Sequence, residues 1–123
     1  MTHIYIDGDD IGLKIEKCFI DNDEASLHNI NREVGEIVCT ITNYLCSNGF
    51  CIIFSGADGI IAKSNYVDCE VLLKLIRTLN SNYTFSIGLG DSLRNAYFAV
   101  RYAKSISKDV AVAYDGRDFM IKR

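Results

Sequence analysis

The chain has 123 residues, 49% of them hydrophobic and 24% charged, with no proline. That length is enough for one domain over 1–123 with a buried core and leaves no room for a regulatory module. The net charge of -3 argues against a protein that holds long nucleic acids by bulk electrostatics, which needs a basic face, while a small anionic substrate can still bind through cations and a few lysines.

The first predicted element is a strand from His3 to Asp7, a nearly continuous apolar run of the kind expected at the centre of a sheet. It opens the chain with no basic-then-apolar signal segment before it, and no apolar run approaches the ~20 residues of a membrane span. The five cysteines, Cys18, Cys39, Cys46, Cys51 and Cys69, form no C-x-x-C pair and come with only two histidines. Neither a disulfide framework nor a zinc site is expected, and the location expected is the reducing cytoplasm.

The strand breaks at Gly8, and Asp9 and Asp10 sit where caps for a short helix through Phe19 lie. Capping and a metal role are both open for these two acids. From Glu24 to Ser47, Leu27, Ile30, Val34, Ile37, Val38, Ile41 and Leu45 fall at helical spacing, and Asn48-Gly49 stops that helix. Cys51 to Ala62 then reads as a hairpin, two apolar strands about Ser55-Gly56-Ala57-Asp58-Gly59. Gly56 and Gly59 are expected to supply the positive φ of the turn. Asp58 is turn chemistry, a ligand, or both.

Val67 to Leu79 repeats the helical pattern and ends at Asn80-Ser81-Asn82, and Tyr83 to Leu89 is the fourth strand. A helix from Leu93 to about Ile106 follows, capped by Asp91 or Ser92, with Ala96, Ala99 and Ala103 as a small-residue stripe for close packing. Val110 to Tyr114 and Phe119 to Ile121 form a last hairpin around Asp115-Gly116, a type I′ signal.

This order fits a split βαβ unit twice over, an α+β ferredoxin-like fold with a largely antiparallel sheet. The third strand then inserts between the first two, which run parallel through a right-handed crossover. That places the carboxyl end of the first strand beside the turn of the hairpin, so Asp7 and Asp58 are predicted to meet. Two close carboxylates repel unless they share a proton or a cation. Mg²⁺ suits such a pair, since it prefers oxygen ligands and usually takes one or two carboxylates plus substrate phosphates. With two ions, one activates an attacking hydroxyl and the other steadies a leaving pyrophosphate. Gly8 lets the backbone approach the metal or triphosphate, the amides opening the Asp10 helix offer an anion site, and Lys104 and Lys108 are the nearest lysines by topology. Lys104 also reads as a solvated lysine at a helix C-terminus.

Four segments in register carry a resemblance. The hairpin around Asp58 resembles the GGDEF-type hairpin of palm-domain nucleotide cyclases and polymerases, and Asp7-Gly8-Asp9 resembles their metal-binding D-x-D. Phe85-Ser86-Ile87-Gly88-Leu89-Gly90 is similar to their S-I-G-I strand, and Tyr102-Ala103-Lys104 with Lys108 to their Y-x-A-K-x-x-G-[KR] helix end. The small size, the Asp7-Gly8-Asp9-Asp10 opening and Gly88-Leu89-Gly90-Asp91 resemble most the minimal CRISPR polymerases. The resemblance implies a palm fold and synthesis of a cyclic di- or oligonucleotide signal from nucleoside triphosphates, ATP favoured, in anti-phage defence. It implies two Mg²⁺ or Mn²⁺ ions on Asp7, Asp58, the Gly8 carbonyl and Asp9, and nucleotide contacts at Gly8, Asp9, Asp10, Gly56, Ala57, Lys104 and Lys108. A separate effector protein is also implied, with no direct membrane or long nucleic-acid binding.

Gly59 departs from the pattern, standing where the cyclases carry a second acid, so Asp9 or Asp10 is expected to supply the missing ligand. No equivalent of their guanine-reading Asn and Asp is identified in the first helices, and His3 and His28 are assigned no role. A ring of two nucleotides needs two triphosphates face to face, so a homodimer with opposed sites is expected. Two alternatives keep the palm fold: a sensor that binds a nucleotide or cyclic dinucleotide without turnover, and a GTP cyclohydrolase-like enzyme. A ferredoxin-like RNA-binding module is disfavoured by the acidic balance.

Overall fold

The computed structural model describes all of residues 1–123. Its elements are β1 (Thr2–Gly8), α1 (Ile11–Ile20), α2 (Glu24–Ser47), β2 (Cys51–Gly56), β3 (Gly59–Ser64), α3 (Cys69–Leu79), β4 (Phe85–Gly90), α4 (Leu93–Ile106), β5 (Ala111–Tyr114) and β6 (Phe119–Lys122). The six strands form one sheet in the order β2-β3-β1-β4-β5-β6. All neighbours are antiparallel except β4 and β5. This is the ferredoxin-like palm arrangement, with β3 inserted between β2 and β1 as expected.

Strand alternation divides the sheet between two layers. Ile4 and Ile6 of β1, Ile60 and Ala62 of β3, and Phe85, Ile87 and Leu89 of β4 face one side. There they form the main core with Val34, Ile37, Val38, Ile41 and Leu45 of α2 and Leu72, Leu73 and Ile76 of α3. The intervening positions of β4 lie under α4, whose Ala99 and Ala103 pack on Val110 and Val112. The alanine stripe is buried as predicted. Gly88 and Gly90 explain how α4 comes so close. A methyl group on Gly88 overlaps the backbone of Ala96 and Val100, and one on Gly90 lies 2.6 Å from Asn95 Cβ. Because the obstruction at Gly88 is backbone, Gly88→Ala is expected to destabilise the fold by about 1–3 kcal/mol. An unchanged urea midpoint for that variant contradicts the packing described.

Several local expectations need correction. The turn between β2 and β3 is the two residues Ala57 and Asp58, and its positive φ falls on Ala57 (51°), not on Gly56 or Gly59. Gly59 has another reason to lack a side chain: it pairs with Asp7, and a Cβ there lies 3.3 Å from Asp7 Oδ1. α3 starts at Cys69, two residues later than predicted, because Asp68 caps it by accepting from the amides of Glu70 and Val71. β4 begins at Phe85 because Asn80 Oδ1 takes the amides of Asn82 and Tyr83 out of the sheet. The last hairpin is not type I′, which needs positive φ at both central residues. Only Gly116 has it, and the Asp115 side chain closes a four-residue loop by accepting from Arg117 N and Asp118 N.

Candidate active site

The meeting of Asp7 and Asp58 follows from the register. Asp7 is opposite Gly59, the residue after Asp58, and the next amide, Gly8 N, donates to the Asp58 carbonyl at 2.9 Å. A side chain at Gly8 overlaps Ile11 and begins 3.3 Å from Asp58 Cβ, so any other residue at position 8 crowds the start of α1 first and then the turn. The Asp7 side chain is about one quarter exposed. Burial raises its pKa above 3.8, and the nearby Asp58 charge adds to that rise while Lys104 opposes it. Burial also raises Tyr5, two residues back along β1, with Asp7 and Asp58 as further causes.

Asp9 does something the spacing did not show. Its side chain is 2% exposed, and both oxygens are engaged. Oδ1 accepts from Ser86 Oγ at 2.7 Å and Lys104 Nζ at 2.9 Å, and Oδ2 from Thr84 Oγ1 at 2.7 Å and the Asp109 amide at 2.9 Å. Burial pushes its pKa up, but these donors outweigh burial and hold it below 3.8. Asp10 precedes α1 with φ 59° and makes no side-chain cap; it pairs instead with Lys108 Nζ at 2.6 Å. The expected caps are therefore not formed. Neither acid is a free replacement for the one missing at Gly59. Lys104 and Lys108 do reach the site, as their place at the end of α4 predicted.

Backbone strain gathers here. Of the five non-glycine residues with positive φ, Asp10, Ala57, Lys108 and Asp109 surround these acids, and only Asn22 lies elsewhere. Such conformations persist where the surroundings fix them, and they concentrate at functional sites. The strained pair Lys108-Asp109 aims the Asp109 amide at Asp9 and is itself held by Arg77, through Nε to Asp109 Oδ1 at 3.1 Å.

A cavity of about 600 Å³ lies beside the turn, between α1 and α2, with Ala57 and Asp58 among its lining residues. Ile11, Ile15, Leu27, Ile30 and Val34 make it largely apolar, and Glu24, His28 and Asn31 supply polar groups. His28, assigned no role from the sequence, and Asn31, not singled out there, both line this cavity. The available signal was their position beside the apolar stripe of α2, one residue after Leu27 and Ile30.

The donors for a cation are all oxygen: the Asp7 carboxylate, the Gly8 carbonyl and Asp58 at the turn. No group of three or more His, Cys, Asp or Glu side chains forms a ready cage. The set nevertheless fits a hard cation of the Mg²⁺ kind, which completes its shell with water and phosphate. One positive group already lies on these oxygens: Lys104 Nζ is 2.8 Å from Gly8 O and 3.5 Å from Asp7 Oδ2. The arrangement thus gathers negative charge at one sheet end, next to an apolar cavity that can hold a ring.

No helix is long and apolar enough to cross a membrane. A family model described as the minimal CRISPR polymerase domain matches residues 3–114. No curated protein matches the chain.

Proposed function

The chain belongs to the minimal CRISPR polymerase domain family, whose name implies polymerase-like nucleotidyl transfer; on that premise we propose that it makes a cyclic di- or oligonucleotide signal from nucleoside triphosphates, ATP favoured. The observation that carries this reading is the convergence of Asp7, the Gly8 carbonyl and Asp58 beside the cavity of α1 and α2. Bound Mg²⁺ or Mn²⁺ supplies Lewis acidity and charge neutralisation at the triphosphate. Asp7, the Gly8 carbonyl and Asp58 hold it.

In the reaction a ribose hydroxyl oxygen of one triphosphate bonds to the α-phosphorus of another. The bond from that phosphorus to the bridging oxygen of pyrophosphate breaks, and the hydroxyl proton passes to solvent. A second attack of the same kind closes the ring. The rigid end of β1 and the turn fix the acids, so orientation costs little at each turnover. Lys108, paired with Asp10 beside the start of α1, and the amides opening that helix are assigned to the phosphate oxygens. Asp9 positions the site by holding Lys104, Thr84, Ser86 and the Asp109 amide in place, and it is not assigned as a ligand. Two sites must face each other to join two nucleotides, so a homodimer is part of the proposal, as is a separate effector in anti-phage defence.

The cavity takes the base. Its apolar walls stack a purine, and Asn31 offers a paired donor and acceptor of the kind that reads an adenine edge. Asn31→Ala is expected to raise KM for the preferred triphosphate about tenfold, the scale of a hydrogen bond or two, with kcat little changed. Steady-state kinetics across the four triphosphates measure this. An unchanged KM and unchanged base preference place the base elsewhere.

A second reading is favoured by Gly59 and by the engagement of Asp9 and Asp10. In it the domain binds a nucleotide or cyclic dinucleotide without turnover, and calorimetry with tight binding but no product supports it.

A further inference from the structure

Lys104 is at the last turn of α4, its side chain 15% exposed. Its ammonium lies among four oxygens from three consecutive residues: Gly8 O at 2.8 Å, Asp9 Oδ1 at 2.9 Å, Asp7 O at 3.4 Å and Asp7 Oδ2 at 3.5 Å. Two of these, Gly8 O and Asp7 Oδ2, are oxygens that the proposed function gives to a divalent cation. Two cations cannot share the same oxygens without strong repulsion. The ammonium is not held equally by all of its neighbours. Its contact with Asp9 is an ion pair to a nearly inaccessible carboxylate that three further donors keep in place, whereas Asp7 Oδ2 is the longest contact and the more exposed.

We propose that Lys104 is the internal counter-ion of this site, which a divalent cation must displace from Gly8 O and Asp7 Oδ2, and that a nucleotide assists by giving the displaced ammonium a phosphate partner. The inference rests on the reading of Asp7 and Gly8 as cation ligands. Its physical basis is that the two ends of the lysine differ in freedom. The α4 backbone is pinned by its close approach to Gly88 and Gly90, while the four-carbon stem and its compact charge can rotate. Asp9 is the pivot, so the ammonium can leave Asp7 without leaving an uncompensated charge buried. The consequence is thermodynamic coupling. A cation alone competes with Lys104 and binds weakly; with a triphosphate present the competitor has somewhere to go, and by reciprocity the cation strengthens triphosphate binding equally.

The test measures Mn²⁺ binding by electron paramagnetic resonance, independently of turnover. Lys104→Met is expected to bind Mn²⁺ about thirtyfold more tightly than the wild type, the effect of removing one unit charge about 4 Å from a doubly charged ion at the dielectric of water. Lys104→Arg, which keeps the charge, is expected to show no gain. A folded Lys104→Met with unchanged or weaker affinity overturns the inference alone. Absence of Mn²⁺ binding by the wild type, with and without triphosphate, overturns the cation reading and this inference with it. Should Lys104→Met fail to fold, amine acylation of the wild type followed by mass spectrometry decides. Mn²⁺ with triphosphate is expected to change the labelling rate of Lys104 relative to the exposed Lys74, and an unchanged ratio at saturation contradicts displacement.

Discussion

Asp7→Asn is expected to lower turnover at least about a thousandfold, the upper range for removing one preorganised electrostatic group, and at the same time to raise the melting temperature. The first half follows from the proposed role. Asn keeps the shape but gives up the negative charge on which the cation and the developing phosphate charge depend. The second half follows from the cause of the raised Asp7 pKa, which is burial first, with repulsion from Asp58 added. A carboxylate whose folded pKa lies above its unfolded value binds its proton more tightly in the folded state. Its contribution to stability is therefore present at low pH and lost as pH rises through the folded pKa. At neutral pH the ionised Asp7 is a liability, and a neutral amide relieves it. Scanning calorimetry at pH 7 is expected to show a rise of about 3 °C, the scale of a modest stabilisation in a domain this size. A large fall in melting temperature contradicts the assignment of Asp7 as a site residue held against stability.

Asp9→Ala has the opposite profile and the largest expected effect on folding. The side chain is 2% exposed and accepts from Ser86, Thr84, Lys104 and the Asp109 amide. Its removal takes from Lys104 its nearest carboxylate and leaves buried donors without an acceptor. Breaking a buried pair in this way costs about 3–5 kcal/mol, equivalent to a fall of roughly 10–20 °C in melting temperature. The pH dependence has a definite sign. Asp9 has a folded pKa below 3.8, so its stabilisation is present above the unfolded value and is lost as pH falls through the folded one. Below that range the gap in urea midpoint between wild type and Asp9→Ala is expected to narrow, by the part of the stabilisation that depends on the charge. Equal midpoints at pH 7 contradict the structural role given to Asp9.

These two acids show how far the sequence could be read. The place of Asp7 beside the turn was legible because it depends on topology. Strand periodicity, a hairpin signal and the right-handed crossover together bring residues 51 positions apart to one sheet end, and the register of Asp7 with Gly59 agrees. Asp9 was not legible, since its partners lie 75 to 100 residues away and none carries a pattern that points back to it. An acid before a helix reads as a cap, and only three-dimensional packing shows it turned inward under β4 and α4. Gly59 illustrates a third case: a Cβ there makes a close contact with the Asp7 carboxylate, and glycine in a sequence does not distinguish such a contact from turn conformation. The polar residues of the cavity, His28 and Asn31, were hidden because each is one exposed position on a long amphipathic helix until α1 and the turn supply the other walls.

The proposed reaction joins nucleotides with release of pyrophosphate. The most direct measurement is incubation of the purified chain with each of the four nucleoside triphosphates and Mg²⁺ or Mn²⁺, with products resolved by mass spectrometry and Asp7→Asn run alongside. A cyclic adenine nucleotide and pyrophosphate are expected from the wild type and neither from the variant. Formate from GTP, or bound but unconverted triphosphate under every metal, contradicts that reaction.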